Sequence, residues 1–132
     1  MTMTLKEHIY YWVNSASGDW DAAHTLLASN HVFHAMFFIY LSMEKLLKAN
    51  WILDNGESFP PLTQNLENLY AQTEIELDAS EIDLLKLVNT WNIEGRYQDY
   101  KNKLAKSYTL SYLKERLVKI ETIRTCLLER LL

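Results

Sequence analysis

Residues 31–53, His-Val-Phe-His-Ala-Met-Phe-Phe-Ile-Tyr-Leu-Ser-Met-Glu-Lys-Leu-Leu-Lys-Ala-Asn-Trp-Ile-Leu, read as a helix that is apolar on two faces. Val32, Met36, Ile39, Met43, Leu46 and Leu47 lie along one stripe, and Phe33, Phe37, Tyr40, Leu47 and Trp51 along a second that only Glu44 interrupts. A surface helix of a small domain shows one apolar stripe and one wet face. Two stripes require that this helix be central or shared with another chain. The sequence reading favours sharing: it places Phe33, Phe37, Tyr40 and Trp51 at a dimer interface and expects a homodimer.

The rest of the chain supplies helices to pack against it. Leu5, Ile9, Trp12, Val13, Ala16, Trp20, Ala23, Leu26 and Leu27 recur at helical spacing over 5–29. Gly18 inside that run costs ~1 kcal/mol against alanine, which suggests a kink or a close helix contact. Asp54-Asn55-Gly56 ends the second helix, with glycine in the usual place after a helix end. After a loop holding Pro60-Pro61, Thr63 is the expected N-cap of a short helix over 64–72, and Asp78 or Ser80 that of a fourth with Ile82, Leu85, Val88 and Trp91 inside. Leu110, Leu113, Leu117, Ile120, Ile123, Leu127 and Leu128 mark a last helix over 107–131. No segment alternates as a strand does. The expectation is an all-α fold: one domain over 1–132, an up-and-down antiparallel bundle of four main helices and one short one.

Composition narrows the functional classes. The single cysteine, Cys126, sits in an apolar pattern and reads as a small core residue. The N-terminus lacks the basic-then-apolar pattern of a signal peptide. The longest apolar run, Ala35 to Leu41, is far short of the ~20 residues of a membrane span, so a cytoplasmic protein away from the membrane is expected. His24, His31 and His34 do not have the spacing of a metal set, and neither a metal nor another cofactor is expected. Charge is uneven. Residues 1–95 hold 4 Lys/Arg against 13 Asp/Glu, residues 96–132 hold 9 against 4, and every arginine lies at or after position 96. The basic cluster Arg96, Lys101, Lys103, Lys106, Lys114, Arg116 and Lys119 suits a phosphate or an acidic partner, or else balances the acidic stretch Glu67–Asp83 within the fold.

Two groups are candidate ligand sites. Arg96, Tyr97 and Asp99 stand in the least regular segment, where a cation beside an aromatic ring suits a phosphate or a base. The plainer reading there is an Arg96–Asp99 or Arg96–Glu94 contact that fastens the loop. Glu44, Lys45 and Lys48 share one helical turn. Glu44 and Lys48 are spaced for an ordinary surface pair of ~0.2–0.5 kcal/mol, unless Glu44 faces a groove and a lysine meets a phosphate. No residue set is assigned a catalytic role.

Several of these residues occur in a familiar order. Trp20-Asp21-Ala22-Ala23 and Leu26-Leu27 precede Glu44-Lys45-Leu46-Leu47-Lys48-Ala49, then Pro61-Leu62-Thr63-Gln64-Asn65-Leu66, then Arg96-Tyr97-Gln98-Asp99. The chain resembles, over about 5–130, the HEPN family, named for nucleotide binding in higher eukaryotes and prokaryotes. The resemblance implies a helical bundle, commonly a homodimer, that partners a small nucleotidyltransferase, often as a toxin–antitoxin pair. Some members are metal-independent ribonucleases; others bind nucleotides or only proteins. Two departures stand out. Gln64 replaces a histidine common after the threonine. The ribonuclease motif, an arginine followed four to six residues later by histidine, is missing, because His8, His24, His31 and His34 all precede Arg96. The expected function is therefore a homodimeric HEPN-like binding module that pairs with a nucleotidyltransferase-type protein, or binds a nucleotide or RNA phosphate. The alternative is a divergent metal-independent ribonuclease toxin using Arg96, Tyr97 and Lys101.

Overall fold

A computed structural model describes residues 3–94 and 108–131. Five helices lie among them: α1 (Leu5–Ala28), α2 (Val32–Asn55), α3 (Leu66–Ala71), α4 (Ala79–Glu94) and α5 (Leu110–Glu129). No strand occurs among the described residues.

Local chemistry sets the helix ends. Thr4 and Glu7 form a reciprocal capping box at the start of α1. At its end Asn30 takes a left-handed φ of 61°, its N–H donates to Leu27 O and that of His31 to Leu26 O, a Schellman closure that lets three residues reverse the chain. Gly56 ends α2 in the left-handed region at φ 65°, its N–H donating to Ile52 O. The third helix is capped by Asn65, whose side chain accepts from Asn68 N, and not by Thr63, whose hydroxyl accepts from Asn65 N in the preceding turn. Asp78 caps α4 by accepting from Glu81 N, while Glu81 returns the bond to Asp78 N. The first helix runs unbroken through Gly18, and a Cβ there would meet nothing within 4 Å. That glycine marks neither a kink nor a close approach.

Residue pairs fix the topology. Lys48 lies over Trp12, Ser42 bonds Ala16 O and Lys45 meets Asp19, so α1 and α2 run antiparallel. Phe33 meets Tyr108, Asn50 meets Leu127 and Asp54 meets Arg130, so α5 runs parallel to α2. Alternating directions along the chain give this pattern, as the up-and-down bundle requires.

The two-faced helix is the central rod. It contacts each of the other four helices. Met36, Ile39, Met43, Leu46, Leu47 and Ile52 are sealed from solvent, and so are the polar Ser42 and Asn50. Leu85, Val88 and Trp91 of α4 and Leu113, Leu117, Ile120, Ile123 and Leu127 of α5 complete the core, while Ile82, Leu110, Leu128 and Cys126 are half-buried. The second stripe therefore has an occupant within the molecule. Tyr40 is 1% exposed and Trp51 7%, so the chain itself covers both. Phe33 and Phe37 are half-buried.

Tyr40 and Trp51 have other partners. The Tyr40 hydroxyl donates to the Gln64 carbonyl, and Trp51 Nε1 donates to Gln72 Oε1 at 3.0 Å. Asn89 Oδ1 accepts from Leu66 N at 2.9 Å and Asn92 donates to Gln64 Oε1 at 3.2 Å. Together these bonds hold α3 and the turn before it against α2 and α4.

Candidate functional site

Of the six candidate ligand-binding residues, Arg96, Tyr97 and Asp99 lie outside the described residues, as do Lys101, Lys103 and Lys106. The other three, Glu44, Lys45 and Lys48, converge on the seam between α1 and α2. Register across the Ser29–His31 turn brings the middle of α1 beside the last half of α2. That juxtaposition adds Trp12, Ser15 and Asp19, which no local spacing in the sequence connects with the lysines.

Each lysine has a carboxylate mate. Lys45 Nζ lies 2.6 Å from Asp19 Oδ2 and donates to Ser15 Oγ at 2.7 Å. Lys48 Nζ lies 2.8 Å from Glu44 Oε1 and 5.1 Å from the centre of the Trp12 ring. The Glu44–Lys48 pair is not the solvated surface pair that its spacing suggests: the two side chains are only 8% and 13% exposed. An ion pair so placed carries a desolvation penalty and holds only while both members are present.

Two hollows flank the seam and share Met3 and Tyr11. One, about 710 Å³, runs along Tyr10, Tyr11, Asn14 and Ser15; the other, about 520 Å³, lies between α1 and the loop Ser58–Leu62, with Lys48 in its lining. Tyr10, Tyr11, Phe59 and Leu62 around them are 58–96% exposed. A contiguous apolar surface of this kind marks an interaction site more often than chance does. The sequence reading missed it, because a helix start and a proline loop carry no periodic signal; Phe59 and Leu62, apolar side chains bracketing Pro60-Pro61, were the available clue.

Elsewhere four described cations of the basic half, Arg116, Lys119, Arg124 and Arg130, have contacts within the fold. The Arg116 guanidinium lies 3.7 Å from the Tyr112 ring centre, and Lys119 donates to Ser80, which in turn bonds Asp78. Arg124 stacks 4.7 Å over Trp20; burial pulls its pKa below the ordinary value, against the opposing charges of Glu121 and Asp21. Arg130 donates to Asn50 Oδ1 at 2.6 Å and to both Asp54 oxygens at 2.8 and 3.0 Å. Burial pushes the Asp54 carboxyl up, but the Arg130 hydrogen bond, the Glu74 N–H and the guanidinium charge outweigh it and hold the pKa below 3.8. Lys119 thus reaches the acidic start of α4, as charge balance within the fold requires. The histidines pack against rings: His8 is edge-on to Phe59, His24 to Trp20, and His31 to His34.

Comparison with known proteins agrees with the fold. The crystal structure of TT1696 from Thermus thermophilus matches with a TM-score of 0.76 at 19% identity, over 94% of this chain and 98% of that one. At that identity the likeness extends to the fold alone. Among curated proteins, none matches the chain. The family model described as HEPN domain matches residues 9–131, nearly the whole length. The chain belongs to the HEPN domain family.

Proposed function

We propose that this HEPN protein is a binding module of the non-ribonuclease type, one domain over residues 1–132, which assembles as a homodimer and pairs with a protein of the nucleotidyltransferase kind, binds a nucleotide, or does both. One observation carries the reading: every histidine precedes every arginine, so no imidazole follows an arginine at the spacing that the ribonuclease members use. Metal-free RNA cleavage needs a group that exchanges a proton near neutral pH, and histidine is the side chain suited to it. Lys101 and Asn102, which follow Arg96 at that spacing, are poor replacements. The paired lysines of the seam and its exposed aromatic rim support recognition over chemistry. For the dimer seam, Phe33 and Phe37 remain the candidates.

A ribonuclease reading keeps one observation in its favour. Arg124 and His24 flank the same Trp20 ring, although they are a hundred residues apart in sequence. Incubation of purified protein with bulk RNA in EDTA separates the two readings. The expected result is intact RNA. Cleavage lost in Arg96→Ala or His24→Ala overturns the non-ribonuclease reading. Light scattering is expected to give twice the 15.5 kDa chain mass, and a monomer at micromolar concentration overturns the homodimer.

A further inference from the structure

The hollow between α1 and the 58–62 loop has the makings of a small-molecule site. Its volume, about 520 Å³, suits a compact ligand. Its walls are rings: Tyr11 and Trp12 of α1 stand edge-to-face at 5.5 Å, and His8 of α1 meets Phe59 of the loop edge-on at 5.8 Å. Phe59 is 82% exposed and Leu62 96%, so neither is held there by packing.

The charged lining is of one sign. Lys48 contributes an ammonium, His8, Ser58 and Tyr11 contribute groups that can donate or accept, and no carboxylate among the described residues lines the hollow. Glu44, the mate of Lys48, sits behind it with a side chain 8% exposed. A lysine ammonium has three donors. One reaches Glu44, which leaves donor capacity on the hollow's side. Aromatic walls select a flat ring, and an ammonium in a lining without a carboxylate favours a ligand group of negative charge.

We propose that this hollow binds a small planar aromatic anion: the ring among Tyr11, Trp12 and Phe59, the anionic group at Lys48 with His8 and Ser58. A nucleotide and an aromatic carboxylate share this chemistry. The proposal deepens the nucleotide part of the reading above and rests on it only for the ligand's source.

Calorimetry with the full chain tests it, using AMP, adenosine, ribose 5-phosphate and indole-3-acetate as probes. Saturable binding is expected for AMP or indole-3-acetate. Adenosine should bind about tenfold more weakly than AMP, and ribose 5-phosphate not at all up to about 10 mM. AMP alone points to a nucleotide; indole-3-acetate with or without AMP points to the broader class of aromatic anions. Phe59→Ala should weaken binding about tenfold through lost stacking. Because Lys48→Gln strands a buried Glu44, the Lys48 contribution is read from the double variant Glu44→Gln/Lys48→Gln, which should lose the preference for AMP over adenosine. The proposal is overturned if no probe binds, if adenosine matches AMP, or if Phe59→Ala leaves affinity within about twofold. None of these results bears on RNA cleavage, so the non-ribonuclease reading stands or falls separately.

Discussion

Glu44 and Lys48 meet at 2.8 Å one turn apart on the central helix, with both side chains nearly closed off from water. In an exposed helix the same spacing gives a weak, salt-sensitive pair. Here the rest of the bundle surrounds it, and the energetics change from a small gain to a mutual dependence.

Removing one member should therefore cost far more than removing both. Lys48→Met is expected to destabilise the fold by about 3–5 kcal/mol, and Glu44→Gln/Lys48→Met to recover most of that loss. Urea denaturation of the single and double variants measures it. A loss below about 1 kcal/mol for Lys48→Met would place the pair with ordinary surface pairs.

Asp54 and Arg130 clamp the end of α5 to the end of α2, and the clamp should be acid-sensitive. The folded carboxyl titrates below its unfolded value, so its contribution is complete above roughly pH 4 and disappears as pH falls through the folded pKa. The stability gap between wild type and Asp54→Asn should be constant from neutral pH down to about pH 5 and shrink below about pH 4. Arg130→Met should cost roughly 1.5–3 kcal/mol at neutral pH, since it removes hydrogen bonds to a charged group. Thermal melts across the pH series check both.

The two described glycines should respond in opposite ways. Gly18→Ala puts a methyl group into open space within a continuous helix, and should raise stability by up to about 1 kcal/mol. Gly56→Ala forces a side chain onto a left-handed backbone at φ 65°, and should lower it by about 1 kcal/mol. Denaturant midpoints of the two variants decide the sign.

Tyr40→Phe keeps the ring that stacks on Phe37 and deletes the bond to the Gln64 carbonyl. The expected loss is about 1 kcal/mol. Amide exchange should speed up over residues 57–66 and stay unchanged where α1 meets α2. Uniform acceleration throughout the protein would mean that Tyr40 supports the core as a whole and not that loop.

The sequence by itself determined the helices and the family. Apolar residues at steps of three and four place α1, α2, α4 and α5 to within a few residues, because helix geometry is local and its 3.6-residue period is written into the chain. Cap residues such as Asp78 and Gly56 act within one turn of themselves and are legible for the same reason. The ordered motifs likewise sufficed for the HEPN resemblance, which the family model bears out.

Only the tertiary structure decided what covers the second face of α2. A double stripe is equally compatible with a central helix and a shared one, since periodicity reports that a face is buried and not by what. The same limit applies to the candidate site. Glu44 and Lys48 are four residues apart and visible as a pair, but their burial depends on Trp12, thirty-six positions from Lys48. Lys45 and Asp19 meet only because Asn30 turns the chain sharply enough to bring α1 alongside α2 in register. Contacts across such distances follow from packing and turn geometry acting together, and no local pattern in the sequence records them.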